Sequence, residues 1–179
     1  AAGGRPPAGT ELGEARLQLV QGELLLAREG AGAAQASLNA CEAGLRLLAA
    51  LPSQLGAVLE GAEGQADSAA VPPLGVALLL EAGLCTRAGE AACTLGDLGR
   101  ARAFVDQSVE SCRGLRGTVM PCQPSLVGDV ELARALLVSA ELRLLARGDS
   151  GGDSGGADLR AASCELSSAL RLCAALSPP

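Results

Sequence analysis

The chain has 179 residues, of which 49% are apolar and 1% aromatic, and it carries a net charge of −6 at pH 7. An acidic chain without clustered basic side chains lacks the means to capture nucleic acid by displacing counterions, and with a single aromatic residue it cannot stack bases. No apolar stretch reaches the length of a membrane span. Composition thus argues against nucleic-acid and membrane partners, and we expect a protein partner.

The chain contains seven cysteines and no histidine. No two cysteines have the Cys-x-x-Cys spacing of a zinc or redox motif, and catalytic systems with a histidine base are unavailable. We therefore expect reduced, buried thiols in an intracellular protein of the cytoplasm or nucleus, with no catalytic, cofactor-binding or metal site. The cysteines are Cys41, Cys85, Cys93, Cys112, Cys122, Cys164 and Cys173.

Two parts of the chain repeat each other. Ala15–Leu24 aligns with Ala133–Leu142. Leu45–Leu51 aligns with Leu170–Leu176, and a proline follows shortly after each of these last two segments. Self-similarity in a fixed order is typical of repeat architectures. The sequence therefore predicts a helical hairpin that occurs at both ends of the chain.

Residues 1–10 are rich in proline and glycine, and we expect a disordered tail after which Thr10 caps the first helix. Hairpin 1 follows over residues 11–52, with a turn at Gly30–Gly32. Its first helix has an apolar stripe at helical spacing and a second stripe beside it, so we expect partners on two sides. The second stripe, here called the α1 stripe, consists of Leu17, Val20, Leu24 and Ala27.

Residues 53–73 form an expected linker, because glycines and prolines interrupt the helical pattern. Hairpin 2 spans residues 74–115, and a second linker covers 116–129. Hairpin 3 spans residues 130–179, with a Gly/Ser/Asp insertion at 148–156. Since no strand pattern is present, the sequence predicts an all-α fold of about six helices, arranged as three degenerate hairpins in a short α-solenoid.

The insertion contains two fragments that match catalytic or metal motifs. Gly148–Gly152 and Gly152–Gly156 both match the nucleophile motif of chymotrypsin-like serine proteases, but the chain has no histidine base. Asp149, Asp153 and Asp158 could suggest calcium, yet the final glutamate of an EF-hand is missing. A flexible, solvated loop is the better interpretation.

The charged residues on the predicted helix surfaces are mixed in sign. A clamp for a peptide carboxylate would need clustered cations, whereas these arginines are interleaved with glutamates, so we expect solvated faces. The residues are Glu14, Arg16, Glu23, Glu81, Arg87, Glu90, Arg134, Glu141 and Arg143.

The hairpins resemble tetratricopeptide repeats, in which small residues let the two helices cross closely. The residues that carry the resemblance are Gly22 and Ala34 in hairpin 1, Gly89, Gly96-Asp97, Ala101, Val105 and Ser108-Val109 in hairpin 2, and Ala140, Ala162 and Ala169-Leu170 in hairpin 3. The turn glycines Gly30, Gly96 and Gly148 are spaced less regularly than in tandem repeats of this family. We therefore expect linker-separated pairs rather than a regular superhelix.

A narrower resemblance is to the helical repeat region of separase, the protease that opens cohesin at anaphase. Leu19–Arg28 is echoed by Leu137–Arg147, and Leu95-Gly96 is followed by Ala101–Phe104. The resemblance implies a scaffold region of a larger cysteine endopeptidase that acts in sister-chromatid separation and is restrained by securin. It carries over no catalytic residue. The missing initiator methionine agrees with a fragment of a larger protein.

The sequence thus predicts a non-catalytic helical-repeat scaffold for protein–protein interaction. A stand-alone tetratricopeptide-like adaptor and a structural spacer are the alternatives. An enzyme with a carboxylate-based or metal-dependent site is a further alternative, for which the sequence names no residues.

Overall fold

The structure is a computed structural model that describes residues 8–51, 73–118, 126–149 and 155–176. Within these ranges it contains six α-helices and no strand, which confirms the predicted all-α fold. None of the described helices combines the length and the apolar character needed to cross a bilayer. The helices are α1 (Ala8–Leu26), α2 (Ala31–Ala49), α3 (Pro73–Thr94), α4 (Leu98–Thr118), α5 (Leu126–Asp149) and α6 (Gly155–Leu176).

The first helix starts earlier than its capping signal indicates. It begins at Ala8, so Thr10 lies inside the first turn and is not the N-cap. Alanine is the best helix former and extends a helix readily at its end, which a capping signal alone does not reveal. The expected tail at residues 1–7 lies outside the described residues.

The expected second linker and the insertion are both shorter than the sequence indicates. Helix α4 runs to Thr118 and α5 begins at Leu126, so both ends of that linker are helical. Helix α5 likewise runs to Asp149 and α6 begins at Gly155. Glycine and aspartate are tolerated in terminal turns, where fewer backbone hydrogen bonds are at stake. The rest of both segments and the first linker, except Pro73, lie outside the described residues.

Consecutive helices pack as three pairs, namely α1 with α2, α3 with α4, and α5 with α6. Each second helix also packs against the first helix of the next pair, so α2 contacts α3 and α4 contacts α5. The first helices α1, α3 and α5 are neighbours in that order. The result is a layer of first helices with α3 at its centre, and this layer positions the candidate site.

Small residues lie where the helices of a pair cross. A Cβ atom at Gly22 would lie 2.7 Å from Cys41 Sγ, and one at Gly89 would lie 2.7 Å from Val105 Cγ2. In the third pair Ala140 takes the same place and is buried. The close crossing is therefore confirmed at Gly22 and Gly89, because a larger side chain there would push the helices apart.

The turn between α3 and α4 is fixed by backbone and side-chain hydrogen bonds. Gly96 has a φ of 80°, a left-handed conformation that favours glycine. The Asp97 amide donates to Ala92 O at 3.0 Å and the Gly96 amide donates to Cys93 O at 3.0 Å, which is a Schellman motif. Asp97 then caps α4, because its Oδ1 accepts the Arg100 amide at 3.0 Å.

The prediction that α1 has partners on two sides is wrong. Leu17 is 68% exposed and Leu24 is 64% exposed, and Val20 and Ala27 are exposed as well. Both α2 and α3 pack against the other side of α1, where Leu12 and Leu19 contact the core. Within the described ranges no helix covers Leu17 and Leu24, so these two side chains face outward.

Candidate functional site

A groove of about 500 Å³ runs between α1, α3 and α5. Its walls are mainly apolar, and its charged residues are Arg16 and Glu23 of α1 and Glu131 of α5. We call it the first-helix groove. Its apolar lining includes Leu12, Leu19, Val20, Val76, Leu79 and Val127.

Arg87 lies at the charged end of the first-helix groove and is only 1% exposed. Its Nη2 contacts Glu23 Oε1 of α1 at 2.8 Å and Glu131 Oε1 of α5 at 3.6 Å. Its Nη1 contacts Glu90 Oε1, one turn along α3, at 3.4 Å. A buried cation needs such partners, because an unpaired charge is costly to remove from water. Arg87 therefore links all three first helices through one guanidinium group.

A second arginine extends this cluster. Arg134 of α5 donates from Nε to Glu90 Oε1 at 2.8 Å and from Nη2 to Glu90 Oε2 at 3.2 Å. Glu90 thus binds both arginines, and its contact with Arg134 is bidentate, a geometry that strengthens such pairs. Glu23, Arg87, Glu90 and Arg134 also line an adjoining depression of about 550 Å³. The groove consequently has an apolar part and a charged part that share Glu23.

Glu131 is the least satisfied member of the cluster. Its Oε2 atom is buried and has no hydrogen-bond partner among the described residues. Burial raises the pKa of the Glu131 carboxyl, and this effect outweighs the opposing attraction of Arg87 and Arg134. The carboxylate therefore has a free acceptor at the wall of the groove.

The raised pKa of Glu131 makes the stability of the fold depend on pH. A carboxyl group whose pKa is higher in the folded state stabilises the fold most when protonated, and this contribution is lost as the pH rises through the folded-state value. We therefore expect Glu131→Gln to raise the melting temperature at pH 7. The difference should shrink as the pH falls through the raised folded-state pKa towards 4.5, the ordinary pKa of a glutamate.

The measurement is thermal unfolding of both proteins at several pH values. Glu110→Gln is a suitable control, because Glu110 is exposed and, within the described ranges, pairs only with its neighbour Arg113 on α4. Its effect should be small at every pH. A lower melting temperature for Glu131→Gln at pH 7 would show that the ion pair with Arg87 outweighs the burial of Glu131.

The cysteines fall into buried and exposed groups. Cys41 and Cys85 are fully buried, and burial raises their thiol pKa values to about 11 and about 12. Cys164 and Cys173 on α6 are exposed, so the expectation of buried thiols is wrong for these two. Cys164 lines a depression together with residues of α4 and α5. Cys122 lies outside the described residues.

The expectation that the charged residues of the helix surfaces are solvated is wrong for Arg87. Helix α3 is buried on nearly all sides between Ala82 and Ala92. A helix that is apolar around its circumference belongs in the interior, and a lone arginine within it must be paired. That signal was present in the sequence, but it does not identify the carboxylates of α1 and α5 as the partners.

The described residues contain no group of three or more side chains that could hold a metal ion. Most of both Gly-Asp-Ser-Gly-Gly copies lies outside the described residues, and of the suggested calcium ligands Asp158 contacts Arg143 at 4.0 Å. No protein-family model, curated protein or solved structure matches the chain. The groove and its charge cluster are therefore the features on which a function can be argued.

Proposed function

We propose that the chain is a non-catalytic helical-repeat scaffold that binds a protein segment in the first-helix groove. The observation that carries this proposal is an open apolar groove bounded by a carboxylate with a free, buried acceptor atom. Apolar grooves between helices bind amphipathic helices, whose side chains at helical spacing enter the groove. The groove supports binding, whereas a structural spacer has no need of one.

The charges of the groove specify the chemistry of the partner. Arg87 is already paired with three carboxylates, while Oε2 of Glu131 has no donor among the described residues. A basic side chain on the partner would bring a cation to the exposed carboxylate of Glu23, next to Glu131 at the wall of the groove. The partner that fits is an amphipathic helix with an apolar stripe and one arginine or lysine beside it.

The apolar wall supplies binding area. Val20 and Val127 are exposed on opposite sides of the groove, on α1 and α5, while Leu79 lies between them on α3. Covering such side chains removes apolar surface from water, which stabilises a complex. Exposed valines on facing helices are therefore better explained by a partner than by solvent.

The separase resemblance gives this scaffold a proposed context. Its support is the pair of motifs around Leu19–Arg28 and Leu95–Phe104, together with the repeated hairpin. In that context the chain is a framework region of a larger endopeptidase in chromosome segregation, and a securin-like chain is the partner. A stand-alone adaptor would use the same groove for another protein.

Selection from a displayed library of helical peptides tests the groove. We expect the selected peptides to combine apolar residues at helical spacing with a basic residue, and to bind Val127→Asp about tenfold more weakly than the unsubstituted chain. Val130→Asp is the matched control, because Val130 is also exposed on α5 but does not line the groove. Failure to select peptides whose binding depends on Val127 would overturn the proposal and favour a spacer.

A further inference from the structure

The third helix pair has an exposed apolar face. On α5, Val130, Leu137 and Leu144 lie seven residues apart and are 47%, 44% and 46% exposed. On α6, the exposed apolar residues include Leu166 and Leu170. These side chains form what we call the open face, which consists of Val130, Leu137, Leu144, Leu159, Leu166 and Leu170.

The internal repeat shows what covers the equivalent face of the first pair. When Ala15 is aligned with Ala133, three leucines of α1 correspond to Val130, Leu137 and Leu144 of α5. These three leucines pack into the core beside α3. Leu19 packs closely on Gly83 of α3, because a Cβ atom added at Gly83 would lie 3.1 Å from Leu19 Cδ2. The leucines are Leu12, Leu19 and Leu26.

The second helices agree with this correspondence. In the alignment of Leu45 with Leu170, Leu166 takes the place of Cys41. Cys41 is fully buried and Leu45 packs against the same core cluster, which includes residues of α3. The first pair therefore has its equivalent face covered by the next first helix, whereas the third pair has no described helix in that place.

The other end of the molecule exposes the matching surface. Gly22 and Gly89 occupy the same place in α1 and α3. Leu17 lies five residues before Gly22 and Leu84 lies five residues before Gly89, so the two leucines are equivalent. Leu84 is fully buried and packs on Gly44 of the preceding pair. A Cβ atom added at Gly44 would lie 2.8 Å from Leu84 Cδ2. The α1 stripe is thus the side by which a first helix attaches to the pair before it.

Ion pairs also recur between the first helices, although Arg87 lies two residues before Gly89 and Arg134 lies six residues before Ala140. A glutamate follows each of the equivalent small residues, and in two pairs an arginine of the next first helix binds it: Arg87 binds Glu23, and Arg134 binds Glu90. The third, Glu141, forms no ion pair with a residue in the described ranges.

Arg16 is the matching cation at the other end. It precedes Gly22 by six residues, as Arg134 precedes Ala140. Like Glu141, it forms no ion pair within the part of the chain that the structure describes. An α1 helix placed on the open face would therefore bring Arg16 to Glu141 as Arg134 is brought to Glu90.

We propose that copies of this chain associate head to tail, with the α1 stripe of one copy packed on the open face of the next and Arg16 paired with Glu141. This contact between copies has the same packing as the contact between neighbouring helix pairs within one copy. The two surfaces differ, so the contact is heterologous and does not close after two subunits. The inference goes beyond the proposed function, since its partner is a second copy of the chain; Arg16 and Val20 take part in this contact and also line the groove.

Two variants, each lacking one surface, test the proposal by sedimentation velocity. The head variant carries Leu17→Arg and Leu24→Arg, and the tail variant carries Leu137→Arg and Leu170→Arg, all at exposed positions that leave the fold intact. We expect the unsubstituted chain to form larger species as its concentration rises and each variant alone to stay monomeric. An equimolar mixture should form a dimer and nothing larger, because one intact surface of each kind remains.

A charge exchange tests the register. Arg16→Glu should weaken association about threefold, and adding Glu141→Arg should restore it. Val127→Asp, the groove variant, should associate normally, so failure of the groove proposal and failure of this one are distinguishable. A monomeric unsubstituted chain, or a mixture of folded head and tail variants that stays monomeric, would overturn the proposal.

Discussion

Replacing Arg87 by methionine is expected to lower the free energy of unfolding by about 3 kcal/mol. The guanidinium is buried and contacts three carboxylates, on Glu23, Glu90 and Glu131. Without it, these carboxylates would face one another with only Arg134 nearby, and repulsion would separate the first helices. The value is at the low end for a broken buried ion pair because Glu23 is partly exposed to solvent. Chemical denaturation at pH 7 measures it.

Arg102→Met is the matched control for this prediction. Arg102 pairs with Asp106 one turn along α4, and both side chains are exposed. Its replacement should change the free energy of unfolding by less than about 0.5 kcal/mol. Equal effects of the two substitutions would show that burial adds nothing to the contribution of Arg87.

Arg87→Lys separates charge from geometry at the same position. A lysine keeps the positive charge, but its ammonium group cannot reproduce the planar arrangement by which the guanidinium faces Glu23 with two of its nitrogens. We expect an intermediate loss of stability. A loss as large as that of Arg87→Met would mean that geometry, and not charge, holds the first helices together.

Helix content and pair crossings were accessible from sequence because both depend on local chemistry. Apolar residues at helical spacing identify the helices, and Gly22, Gly89 and Ala140 mark the crossings because they are small in otherwise large apolar stripes. The α3–α4 turn is local as well, since Gly96 and Asp97 supply the left-handed conformation and the cap. Such features need no knowledge of distant partners.

The exposed stripes and the charge cluster were not accessible in the same way. Periodicity shows that one face of a helix is apolar, but not whether another helix covers it, and for this reason Leu17 and Leu24 were expected to be buried. Arg87 differs because its partners lie on two other first helices, far away in sequence. A pairing of that kind depends on the order of the stack.

The charge cluster and the proposed head-to-tail contact have the same physical basis. In each, an arginine of one first helix approaches a glutamate that follows the small crossing residue of the helix before it, as Arg87 approaches Glu23 and Arg134 approaches Glu90. A stack built from equivalent units repeats its interfaces, and the energy of each interface adds to the whole. Glu141 has no such arginine among the described residues, and the proposed contact supplies one from another copy.

Gly89→Ala is expected to lower the free energy of unfolding by about 2 kcal/mol, although alanine is the better helix former by about 1 kcal/mol. The new Cβ atom would lie 2.7 Å from Val105 Cγ2 and 3.4 Å from Ala101 O. Val105 is fully buried and β-branched, so it has no other favourable rotamer into which to move. The strain falls on the crossing of α3 and α4, and thermal and chemical denaturation measure it.

Gly114→Ala is the same chemical change with the opposite expected sign. Gly114 is an exposed residue inside α4, and among the described side chains a Cβ atom there would meet Leu78, at an ordinary contact distance of 3.8 Å. The substitution should stabilise the protein by up to about 1 kcal/mol. In the Gly89→Ala background, Val105→Ala should cost less than it does alone, by about 1 kcal/mol, because it removes the group that clashes. Additive effects of the two substitutions would show that the loss at Gly89 does not arise at this crossing.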